Sequence, residues 1–168
     1  MIDLTQIPDV YRPQHFQLKE LVSRAMWERR GEKCIELFDP RLLITLDQLR
    51  EDLGRPITVN NWCFGGNLEQ RGLRDEGYYI EEALKDGYTT ADGLADYAES
   101  LSQHKYGRAV DFNVKGMTAA EVRAHIHKNK HKYPFITFIE TDISWCHIDV
   151  RGGNYRIWSP SRGFVSQP

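Results

Sequence analysis

The sequence predicts an α+β fold: a small, mostly antiparallel sheet covered on one face by helices, with a cleft on the open face. Three observations carry the architecture. Apolar residues recur at helical spacing through the first third of the chain, and they alternate at strand spacing through the last third. Between them lies a polar, glycine-dotted stretch with no long regular period. The 168 residues suit one domain, with a helical N-terminal part over 1–55, a motif-bearing core over 56–158 and a tail over 159–168.

The elements follow in order. "FQLKELVSRAMWERRG" places Leu18, Leu21, Val22, Ala25 and Met26 on one helical stripe that Gly31 can end. "DPRLLITLDQLREDLG" opens on Asp39 as N-cap, with Pro40 in the first turn, where its missing N–H costs nothing. Leu42, Leu43, Leu46, Leu49 and Leu53 form the apolar side of this helix, and Gly54 its stop. "RPITVNNW" reads as a short strand. Residues 63–103, with glycines at 65, 66, 72, 77, 87 and 93, read as a long functional loop with room for a short helix over Ile80 to Lys85. "RAVDFNV" is a strand, and "TAAEVRAHIHKNK" a helix opened by the capping pair Thr118 and Glu121. "FITFIET", "SWCHIDVR" and "NYRIWS" follow as strands with short connections, which predicts antiparallel neighbours. "SPSRGFVSQP" reads as a partly ordered end.

Composition removes several function classes. With 40% hydrophobic and 27% charged residues, the chain has the profile of a globular protein. Its net charge of -2 gives no basic surplus for displacing phosphate counterions, so no nucleic-acid partner is expected. No run approaches the roughly 18 apolar residues of a membrane span. "MIDLTQIPDVYRPQ" lacks the basic start and apolar run of a secretory signal, so the expected location is the cytosol until lysis, or a virion. Cys34, Cys63 and Cys146 are odd in number and lack CxxC spacing, which argues against a disulfide framework or a zinc knuckle.

The chemistry gathers in two stretches. "SQHKYGRAVDF" sets His104 just before a turn at Gly107 and Asp111 on the strand that follows. On that strand Val110, Phe112 and Val114 share one face, and Ala109 and Asp111 the other. "SWCHIDVR" divides likewise: Cys146, Ile148 and Val150 against Trp145, His147, Asp149 and Arg151. A sheet covered on one face would bring Asp111 and His147 together on its open side. Two imidazoles and one carboxylate, with a fourth position left to water, form the ligand set of a catalytic zinc. By spacing alone the same residues also read as a loop histidine, a turn-side carboxylate and a half-buried strand histidine. His127 and His131 stand four apart, but Lys128 occupies the place of the glutamate in a HExxH site, and Ala119, Val122 and Ile126 make that helix a core element.

Together "SQHKYGRAVDF" and "WCHIDVRG" resemble the zinc D-alanyl-D-alanine carboxypeptidase family, which includes phage endolysin peptidases and has the Hedgehog signalling domain as a distant fold relative. Ser102, His104, Gly107, Ala109 and Asp111 match its Ser-x-His-x-x-Gly-x-Ala-x-Asp pattern, and His147 its later histidine; the likeness spans roughly residues 40–158. The resemblance implies one zinc on His104, Asp111 and His147, a peptidoglycan stem or cross-link peptide as substrate, and carboxypeptidase or endopeptidase activity. It also implies a general base near the last ligand. The family often carries an acid three positions before that histidine, where this chain has Ser144; the nearest carboxylates are Asp142, the first choice, and Glu140. An upstream arginine that holds the substrate falls to Arg74, with Arg71 behind it. Asp149 reads as a partner supporting an imidazole, and Ser102 as part of the motif's supporting shell. The departure at Ser144 leaves a second implication open: the same fold and zinc without turnover, as a structural component that meets other virion proteins.

Overall fold

The computed structural model describes residues 7–166. Among them a six-stranded sheet runs in the order β1-β2-β4-β3-β5-β6. Its strands are β1 (Ile57–Thr58), β2 (Ala109–Val114), β3 (Phe138–Glu140), β4 (Cys146–Asp149), β5 (Arg156–Ser159) and β6 (Gly163–Val165). The helices are α1 (Arg24–Arg30), α2 (Pro40–Leu53), α3 (Glu76–Lys85), α4 (Thr90–Glu99) and α5 (Ala119–Lys128). This is the α+β class the sequence predicts. No helix among the described residues is long and apolar enough to cross a membrane.

The register of the central strands fixes which side chains share a face. β2 and β4 pair antiparallel with Asp111 opposite His147, Ala109 opposite Asp149 and Phe112 opposite Cys146. β3 pairs antiparallel with β4 and sets Glu140 opposite His147. On one face Val110, Phe112, Ile139, Cys146 and Ile148 join a continuous core with Leu42, Leu46 and Leu49 of α2 and Val122 and Ile126 of α5. Each large aliphatic buried there contributes roughly 1.5–3 kcal/mol. The other face receives Asp111, Glu140, His147 and Asp149, because successive strand residues point to opposite sides. The helix ends follow the chain's own signals. Asp39 accepts the Arg41 N–H at the start of α2, Gly54 closes it in the left-handed region, and Thr118 and Glu121 box the start of α5.

Four expectations are corrected. The helix expected from residue 16 to Gly31 is a 3-10 turn at Leu18–Glu20 followed by α1. Ser23 caps α1 by accepting the Met26 N–H. The carbonyls of Leu21 and Val22 are taken by tertiary donors, Leu73 N–H on one and the Asn60 amide and Trp62 indole on the other. Leu18, Leu21, Val22 and Met26 are buried as expected, whereas Ala25 faces outward. The segment expected as a loop over 63–103 contains the α3–α4 helical hairpin: the short helix allowed over Ile80 to Lys85 is the C-terminal part of α3, and α4 is additional. Only Ala83 and Gly93 are buried within the two helices, so they carry little apolar period. Gly93 acts there as a contact rather than a breaker: a Cβ on it would stand 2.6 Å from the Cα of Ile80. β5 lies parallel to β3, because the chain leaves β4 and returns on the far side of β3. Finally, the tail expected to be partly ordered adds β6 antiparallel to β5.

Candidate metal centre

Two neighbouring strands and one turn bring the three candidate ligands together. β2 and β4 supply Asp111 and His147 as a directly opposed pair. His104 comes from the turn before β2, which backbone bonds lock: Asp39 N–H to the Gly107 carbonyl and Arg74 N–H to the His104 carbonyl, each 3.1 Å. Gly107 sits at φ 63, and a Cβ on it would meet the Leu37 carbonyl oxygen at 2.0 Å, so only glycine fits that turn. His104, Asp111 and His147 are all buried, and one ligand atom from each lies within 4.8 Å of the others.

Hydrogen bonding sets the tautomers. His104 Nδ1 lies 2.8 Å from the Gly72 carbonyl, which only accepts, so Nδ1 carries the proton and Nε2 presents a lone pair. His147 Nε2 faces the Asp149 carboxylate at 3.5 Å. That is long for a hydrogen bond, and this buried nitrogen has no closer partner. A carboxylate there favours the proton on Nε2, which turns the His147 Nδ1 lone pair inward. The inward atoms are then all electron-pair donors: His104 Nε2 and His147 Nδ1 are 3.3 Å apart, with Asp111 oxygens 2.8 Å from His147 Nδ1 and 3.5 Å from His104 Nε2. Such a group repels itself unless a proton or a metal ion joins it. A tetrahedral zinc with bonds of about 2.0–2.1 Å separates its ligands by about 3.3 Å, so the donor set and its spacing fit that ion. Two nitrogen donors argue against a magnesium or calcium site, which prefers oxygen.

The titration behaviour has the same cause. Burial works against the His147 imidazolium, but Asp111 and Asp149 outweigh it and push its pKa up to about 9. Burial likewise opposes the Asp111 carboxylate, yet the His104 and His147 rings beside it, which take up a proton when no ion is bound, hold it well below the usual range. For His104, burial dominates and lowers the pKa.

The other sequence-predicted residues divide. Arg74 reaches the cluster, with its guanidinium 2.9 Å from Asp111 Oδ2 and its Nε donating to the Gln70 carbonyl at 2.7 Å. Arg71 points elsewhere: its guanidinium donates to Asn113 Oδ1 at 2.6 Å, while its carbonyl accepts the Asp111 N–H. Glu140, half-buried, lines the same cavity as the three ligands, and burial raises its pKa. Ser102 also lines that cavity. Asp149 is fully buried and accepts from Arg151 Nε at 2.9 Å. Asp142, the first choice for a base, is not among the residues that line the cavity. It sits past the end of β3 at φ 61, where its carboxylate accepts from the Ser159 hydroxyl and the Arg162 guanidinium, both at 2.7 Å. The left-handed turn breaks the strand alternation that would have carried Asp142 to the Glu140 face.

Sequence reasoning missed two contributors. The Gly72 carbonyl orients His104, and a backbone oxygen leaves no mark in the pattern. Tyr78 stacks under Arg74, 4.7 Å from ring centre to guanidinium carbon, and it stands in the first turn of α3, ahead of the short helix the sequence allows over Ile80 to Lys85. His127 bonds Tyr155 instead of a metal, and the His104 group is the metal-type cluster found among the described residues. No family model matches the chain, and the comparisons with curated proteins and with solved structures find no match.

Proposed function

We propose that this protein is a zinc-dependent peptidase that hydrolyses peptidoglycan stem or cross-link peptides. One observation carries the reading: three buried electron-pair donors converge at zinc spacing inside a cavity that also holds a carboxylate and an arginine. His104 Nε2, Asp111 and His147 Nδ1 would hold the ion, and Asp149 would keep His147 in the required tautomer. When bound, zinc supplies Lewis-acid polarisation of a carbonyl and lowers the pKa of water toward ~7. Glu140 is the proton acceptor, since a half-buried carboxylate with a raised pKa holds a proton taken from water more readily than an ordinary one. Arg74, fixed by Gln70 and Tyr78, offers its fork to a substrate carbonyl. The peptidoglycan substrate and a phage setting rest on the resemblance of the two motifs.

A second reading, a zinc-bearing structural component without turnover, is favoured by two features. Ser144 stands where the resembling family often has its acid, and Arg74 already engages a ligand carboxylate. Metal analysis with mass spectrometry of digested peptidoglycan separates the two. The peptidase reading expects about one zinc per chain, new peptide termini from the wall, and loss of both in His104→Ala and His147→Ala. Full zinc occupancy in His147→Ala would sink the metal assignment. Zinc with no new termini would leave the structural reading.

A further inference from the structure

A groove of about 570 Å³ adjoins the metal cavity and shares Arg74, Tyr78, Asp111 and Trp145 with it. Its charges are almost all answered. Lys85 is paired with Glu81 and Glu82, and Arg74 with Asp111. Glu69 accepts the Arg24 N–H at the start of α1. Arg71 is the exception: its half-buried guanidinium has the neutral Asn113 amide as its side-chain partner and engages no carboxylate among the described residues. A planar fork desolvated on one side and left without an acid suits a carboxylate ligand.

The strand sets where that ligand would lie. The Arg71 carbonyl is bonded to the Asp111 N–H, while its guanidinium reaches Asn113, two residues along the same face of β2. Two strand residues span about 7 Å, the reach of about two extended peptide residues. We propose that this groove is a substrate arm in which Arg71 and Asn113 bind a free carboxylate of the peptide, about two residues from the bond beside the metal cluster. This inference rests on the peptidase reading for its ligand class. The role differs from that of Arg74, which acts at the cluster. A stem peptide offers two such groups, its terminal carboxylate and the branch carboxylate of γ-linked D-glutamate.

Equilibrium binding tests it on the zinc-loaded Glu140→Gln protein, which keeps the groove and reads binding whether or not the wild type hydrolyses anything. Three probes are compared: L-Ala-γ-D-Glu-L-Lys-D-Ala-D-Ala with both carboxylates free, the same peptide amidated at its C-terminus, and the same peptide with D-isoglutamine in place of D-glutamate. The proposal expects at least about tenfold weaker binding for one amidated peptide, the modest end of a charge-assisted bond. That peptide identifies which carboxylate Arg71 reads. Adding Arg71→Gln should abolish the distinction, and Arg71→Lys should restore only part of it. Equal binding of all three peptides, or an undiminished distinction in a folded Arg71→Gln protein, overturns the proposal. Should Arg71→Gln fail to fold, the three peptides on the unsubstituted groove still decide. Carboxylate-dependent binding without any wall hydrolysis would refute the peptidase reading alone.

Discussion

Glu140 and Asp142 are separated by a single residue, yet they stand in different surroundings. Glu140 faces His147 across the β3–β4 ladder, while Asp142 turns away and is tied to Ser159 and Arg162. A proton acceptor must come within about 3 Å of its water, so geometry rather than sequence distance selects between them. Glu140→Gln is expected to keep zinc and to lower kcat by about 10²–10⁴-fold. Asp142→Asn is expected to leave kcat unchanged, since asparagine tolerates the left-handed turn and keeps an oxygen for Ser159. Steady-state turnover of wall peptides by the two zinc-loaded variants checks this, and a reversed pattern would return the role to Asp142. The candidate ligands could be picked out in the sequence: strand alternation predicts a shared face for Asp111 and His147, and the motif resemblance adds His104 from the turn before β2. The preference for Glu140 over Asp142 as the proposed base could not be read there, because the positive φ of Asp142 departs from strand alternation.

At the scale of elements, the N-terminus of α2 is coupled to the turn that carries His104. The Asp39 side chain accepts from Arg41 N–H and from its guanidinium, and the Asp39 N–H holds the Gly107 carbonyl. Burial opposes the charged Asp39 carboxylate, but the Arg41 hydrogen bonds outweigh it and lower its pKa. Asp39→Ala should therefore cost about 1–2 kcal/mol of stability. A depressed carboxylate pKa contributes stability that is present above the ordinary value of 3.8 and is lost as pH falls through the folded value. The wild-type advantage in urea midpoint over Asp39→Ala should stay level from about pH 7 to 5 and shrink below about pH 4. An advantage that grows on acidification would contradict the cap's role. Sequence signals located α2 and α5 because both have strong caps and a full apolar stripe. The α3–α4 hairpin showed only as a possible short helix over Ile80 to Lys85, since helices that bury only Ala83 and Gly93 leave almost no stripe to read.

At the scale of the molecule, the α+β class followed from helical periods early in the chain and strand periods late. The strand order did not follow, because short connections suggested neighbours in sequence rather than the return of β5 beyond β3. β6 was hidden for a related reason: a short edge strand with one exposed face, including Phe164, has no pattern distinct from a loop.

The opposition of β2 and β4 has a consequence in time. His104 and His147 are 43 residues apart in the chain, and they meet where the central strands pair. The complete ligand set is thus expected to form late in folding, with at most part of it in the transition state. Zinc should then act on escape from the native state rather than on arrival there. In stopped-flow denaturant jumps, saturating zinc is expected to slow unfolding by about tenfold or more and to leave the refolding rate nearly unchanged. Faster refolding with unchanged unfolding would mean that the ligands gather before the strands do. On the expected outcome, the ion serves the chain as a latch, closed behind a fold that has already found its own way.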